Sequence, residues 1–148
     1  MTMASGLFVP NFRDAHITTP VVMDLTLASN KVILVTDTYT PNFQTHNDYA
    51  DITNELATGG GYTQNSKQVG GTPTWAWVDT TRTIRYSWSA PVVFTTSTIT
   101  ARGMILTTAV TTGLLVCAVT FGQDYISTSG DFSITANATD GIFYLDLY

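Results

Sequence analysis

The sequence predicts an all-β fold: a single-domain antiparallel β-sandwich or partly open barrel, with a long loop excursion and a short N-terminal arm or helix. Three observations predict it. From residue 72 onward, apolar stretches of strand length follow one another closely, separated by Gly, Ser, Asn and Asp. Within them apolar residues alternate, as in Ile84, Tyr86 and Trp88, in Phe132 and Ile134, and in Phe143, Leu145 and Leu147. No sustained helical period, heptad or internal repeat competes with that alternation. Finally, 44% of the chain is hydrophobic and only 11% charged, against about 25% charged in ordinary soluble domains. Threonine and serine fill the gap, in runs such as Thr80-Thr81, Thr95-Thr96-Ser97-Thr98, Thr107-Thr108 and Thr111-Thr112. The β-branched threonine suits a half-buried pleated surface.

The elements are expected in this order. Residues 1–13 form an N-terminal arm or short helix, apolar through Leu7, Phe8, Val9 and Phe12 around Pro10 and closing near Arg13; residues 14–148 form a single β domain. Residues 21–28 alternate weakly, and Lys31 to Thr36 is a strand entered through the turn signal Ser29-Asn30. Residues 37–71 carry Pro41, Gly59-Gly60-Gly61 and Gly70-Gly71, and read as a long excursion with at most one helical turn at 48–56. Strands then follow at 74–79, 82–88, 92–95, 98–107, 113–121, 131–136 and 142–147. At 148 residues one domain is the default.

Composition narrows function. A net charge of −5 and six scattered basic residues leave too few phosphate contacts for a nucleic-acid grip. No apolar stretch reaches the length of a membrane span, and no secretory leader pattern opens the chain, so a protein made in a cytoplasm is expected. Cys117, the single cysteine, lies in an apolar run and reads as a small buried hydrophobe; no intrachain disulfide is possible.

Candidate chemistry is sparse. His16 and His46 stand far apart, outside metal-ligand spacing, and read as loop or interface hydrogen-bonders. The carboxylates occur mostly singly beside turn residues. Asp48 and Asp51 lack the spacing of a calcium loop, and the glycine run at 59–61 has neither a preceding strand nor a following Gly-Lys-Ser/Thr. The sequence therefore yields no catalytic group, cofactor site or metal site. The aromatic cluster of Trp75, Trp77 and Trp88 is the exception: Trp75 and Trp77 share a strand face, which either lines the core or anchors a partner, with the core reading weighted more. The sequon Asn137-Ala138-Thr139 matters only in a secretory pathway.

The run from Val32 to Asn42, then Thr45-His46, Tyr49-Ala50-Asp51-Ile52, Glu55 and Gly61-Tyr62-Thr63, resembles a family of small bacteriophage virion structural proteins. Trp88-Ser89 and Ser97 to Leu106 look like that family's central strand pair; Leu114-Leu115, Phe121 to Asp124 and Gly130 to Ile142 look like its final strands. The likeness covers residues 31 to the end; residues 1–13 and 64–77 depart from it. The resemblance implies a non-enzymatic capsid decoration or cement protein on the outer surface of the head. Its partners would be the major capsid protein and itself, as a homotrimer, with no nucleic acid and no membrane. It would be synthesised in the host cytoplasm and reside on the phage particle surface. Leu7, Phe8, Val9, Phe12 and Arg13 are the expected contacts with the capsid or a neighbouring copy, although a segment tucked under its own sandwich fits the sequence as well. A tail or fibre-associated protein contacting the host is the alternative, and a wall-degrading enzyme the third.

Overall fold

A computed structural model describes residues 3–15 and 22–146; His16, the first residue of the 21–28 stretch and Leu147 of the last expected strand lie outside them. The larger of two antiparallel sheets has the order β1 (Gly6–Leu7), β6 (Leu115–Ile134), β5 (Val92–Thr107), β2 (Lys31–Val35). The smaller has the order β3 (Pro73–Val78), β4 (Thr83–Trp88), β7 (Phe143–Asp146). A helix α1 (Val9–Asp14) precedes β2, and a 3-10 turn at Tyr49–Asp51 interrupts the excursion. The sheets face one another as a sandwich without closing into a barrel, and residues 22–28 form turns.

Two long strands replace four expected short ones. Residues 92–95 and 98–107 are one strand, and so are 113–121 and 131–136 together with what lies between them, so that β5 and β6 form a ribbon from Thr107/Leu115 out to Val92/Ile134. The residues that look like turns are bulges. Thr96 (φ 50°), Gly122 (φ 79°) and Ser129 (φ 51°) take left-handed backbone where the register shifts, which kinks a strand without ending it. The parity of β5 that faces inward changes twice along the ribbon: Val92 and Phe94, then Ile99 and Ala101, then Met104 and Leu106 all enter the same core.

Because Val32, Ile33, Leu34 and Val35 are all apolar, they cannot alternate between core and water. Both faces of β2 are accordingly covered. Val32 and Leu34 join Tyr86, Trp88, Phe94 and Phe132 between the sheets. On the opposite face Ile33 and Val35 meet Met3, Phe8, Tyr39, Ile105, Leu115 and Ala118, with Phe43, Tyr49 and Ile52 packed around them. The N-terminal segment and the first half of the excursion thus act as a third layer. A boundary at residue 13 corresponds to no break, since α1 runs across it and the Asn11 amide donates to the Leu115 carbonyl at 2.9 Å and to that of Asn47.

The excursion is tied back along the outer edge of β2. Leu56 and Val32 donate backbone hydrogen bonds to Leu34 and Lys67 at 3.0 and 2.8 Å, and Val69 donates to Asn30 at 2.9 Å. Asp48 and Asp51 close the 3-10 turn as a reciprocal cap.

Candidate interaction surfaces

In the smaller sheet one face is apolar in every row. Pro73 lies opposite Trp88; Trp75 opposite Tyr86, which lies opposite Phe143; Trp77 opposite Ile84, which lies opposite Leu145. The other face is mixed, with Thr74, Thr83, Arg85, Ser87 and Asp146 beside Ala76, Val78 and Tyr144. The Pro73/Trp88 end of the apolar face reaches the core, and the Trp77 end overhangs it. Trp88 is accordingly 5% exposed, Trp75 36% and Trp77 54%. Trp75 still leans on Tyr86 and Phe143, with ring centroids 5.5 and 5.6 Å away. The core reading therefore holds for Trp88 and fails for Trp77, because β3 and β4 extend past the layer that would cover them.

The expected contact residues of the opening segment divide by direction. Phe8 is fully buried, its ring 5.2 Å from that of Phe43, and is spent on the domain's own core. Leu7 is half-buried in β1, and Phe12 packs edge-on against Phe143 at 6.3 Å. Val9 and Arg13 remain outward, the latter paired with Asp14 at 2.7 Å.

A further surface escapes sequence reading. The β5–β6 ribbon outruns the short strands opposite, leaving a cleft of about 610 Å³ lined by Phe121, Tyr125, Ile126, Phe132, Asn137 and Ile142. Tyr125 is 49% and Ile126 69% exposed at its rim. They fall within residues 122–130, where the glycines and serines conceal a strand. The register shift beneath them is held by Arg102, which donates to the Asp124 carboxylate at 2.8 Å and to the Gly122 carbonyl at 3.1 Å.

The polar clusters serve the scaffold. Glu55 accepts from the Tyr49 hydroxyl, from the Tyr62 hydroxyl at 2.7 Å and from the Asn65 N–H at 2.8 Å, while the Tyr62 oxygen accepts from the Leu34 N–H at 3.1 Å. This carboxylate ties both halves of the excursion to β2. His46 Nδ1 accepts from the Asn42 N–H at 3.3 Å and meets the Tyr39 hydroxyl at 3.1 Å, with its ring stacked on Phe8. Ser97 and Ser127, buried 2.7 Å apart, bond to each other and to ribbon backbone. Among the described residues no group of three or more His, Cys, Asp or Glu side chains could hold a metal ion, and no helix is long and apolar enough to cross a membrane.

These buried groups make the fold sensitive to alkali. Burial, then the Glu55 hydrogen bond and charge, push Tyr49 up to about 12. Burial pushes Tyr86 and the Cys117 thiol up to about 12 as well, and raises Tyr39 and Tyr62 further. The folded state holds these protons where the unfolded chain has lost them, so their contribution is complete below the unfolded values and is lost as pH rises through the folded ones. Urea midpoints should be level up to about pH 8, begin to decline as the unfolded thiol titrates, and fall steeply from about pH 10 to 12. A level profile to pH 12 would mean that these phenols reach water in the native state.

No known protein family, curated protein or solved structure matches this chain.

Proposed function

We propose that the chain is a non-enzymatic virion structural protein, a capsid decoration protein that binds the major capsid protein on the outer surface of a phage head as a homo-oligomer. The observation that supports this reading is the make-up of the outer surface. Tyr125 and Ile126 stand 49% and 69% exposed beside an apolar cleft on a chain with only 11% charged residues, and a contiguous exposed apolar patch of this kind marks contact with another macromolecule. The mechanism is mechanical. A protein that binds the assembled shell and not its free subunits stabilises the shell by mass action, and repeated weak contacts around a symmetry axis add up to firm attachment.

Mixing the purified protein with heads that lack it, sedimenting them and counting bound copies tests the proposal. Saturation at a copy number matching one class of capsid symmetry positions is the expected result. The aromatic cleft beside Asn137 favours one other reading, a tail or fibre-associated protein that holds a host glycan by ring stacking. Failure to bind heads, together with retention on host cell-wall glycan, would replace the first reading with the second.

A further inference from the structure

We infer that β3 pairs antiparallel with β3 of a second copy of this chain across a two-fold axis, joining two three-stranded sheets into one of six strands. The inference starts from the edges of the two sheets. An unpaired strand edge offers a row of N–H and C=O groups to any passing strand, and proteins blunt such edges by shortness, charge, bulges or cover. Three of the four edges are blunted in those ways. β1 is two residues long. β2 is bridged along its outer side at Gln68 and Glu55. β7 has four residues and carries Asp146.

Of the devices that protect edges β3 has only a proline, Pro73, at its first position. Its six residues, Pro73-Thr74-Trp75-Ala76-Trp77-Val78, carry no charge and pair with β4 in unbroken register. Among the described residues, positions 74–77 make backbone hydrogen bonds to β4 alone. The adjoining apolar face is uncovered at Trp77. The edge selects the occupant: a lipid surface or small apolar ligand would cover the indole and leave the edge N–H and C=O groups without a partner strand, whereas a strand pairs them and sets its own side chains beside Trp77.

The sequence of β3 is complementary to itself. With Ala76 at the axis, Trp75 lies opposite Trp77 of the second copy and Thr74 opposite Val78. Pro73, which has no N–H to give, falls outside the paired segment. An axis perpendicular to the sheet keeps both apolar faces on one side, so four indoles form a continuous band of cross-strand aromatic pairs. No like charges meet. A five-residue ladder and its indoles bury less than the roughly 1,600 Å² of a standard stable interface, so the dimer is weak in free solution and strengthens where copies are held close together. The pairing stands whether or not the chain decorates a capsid.

Sedimentation equilibrium of the purified chain over a wide concentration range tests it, with Trp77→Glu and Ala76→Asp as separate variants whose folding is checked by circular dichroism. Both positions lie at the overhanging end of the sheet, and Ala76→Asp sets two carboxylates against each other at the axis. The expected result is a reversible doubling of mass for the parent chain, with the dissociation constant raised about tenfold or more by either variant. A parent chain that stays monomeric throughout would overturn the inference, and so would self-association, dimeric or trimeric, that both variants leave unchanged.

Discussion

Replacing Phe8 by alanine is expected to lower the unfolding free energy by about 3–5 kcal/mol, the range for deleting a fully buried aromatic ring. The ring is enclosed by Met3, Ile33, Val35, Tyr39, Ile105, Leu115 and Ala118. It lies against Phe43 and His46 on the face of the larger sheet away from the smaller one. Its loss would open a cavity under α1 and release the layer that covers Ile33 and Val35. Val9→Ala, one residue along and 51% exposed, should change stability by less than about 0.5 kcal/mol. Urea titrations of the two variants side by side make the comparison. Equal, small effects would show that the opening segment undocks in solution and is free to reach a neighbour.

Gly141→Ala is the second large effect. Gly141 has a φ of 72°, and a Cβ there would sit 2.2 Å from the Tyr86 carbonyl oxygen and 2.8 Å from Arg85 Cγ. The carbonyl cannot move aside, because it accepts the Ile142 N–H at 2.8 Å, the bond that leads into β7. Left-handed strain of about 1–2 kcal/mol adds to overpacking of about 1–3 kcal/mol. Gly122→Ala separates the two contributions, since its φ is 79° with nothing within 4 Å of the new methyl; only the strain should remain there. Thermal melts followed by tryptophan fluorescence read both, because displacing β7 takes Phe143 away from Trp75. Equal melting shifts for the two variants would exclude the clash.

The all-β class and most strand positions were legible because alternation survives wherever a strand has one wet face, as in Ile84, Tyr86 and Trp88. It failed along the ribbon. Thr96, Gly122 and Ser129 are residue types that serve turns and bulges equally, and composition does not distinguish a chain that reverses from one that only kinks. The third layer was hidden for a different reason: Phe8, Tyr39 and Phe43 lie in segments without periodicity, so their common destination on β2 depends on tertiary contacts. The apolar run Val32 to Val35 held the clue, since four consecutive buried residues need cover on two sides. Of the candidate contact residues, the sequence correctly placed Trp75 and Trp77 on one face. Their exposure depends on β3 and β4 being longer than the layer beneath them. Tyr125 and Ile126 went unseen because the strand that presents them was unseen.

The offsets in the β5–β6 ribbon also govern how the chain tolerates changes of length. Opposite Arg102, the step from Ala101 to Gly103 on β5 spans Tyr125 back to Thr120 on β6, leaving a stretch of surplus residues with solvent around Gly122. A residue gained or lost among them changes the size of the bulge, while Phe132 and Ile134 keep their partners Phe94 and Val92. One gained or lost inside the paired segment from Phe132 to Ile134 has no such slack and turns side chains to the opposite face, because strand side chains alternate with a period of two. Changes of length are therefore expected to be absorbed at the bulge and not in the ladder beyond it.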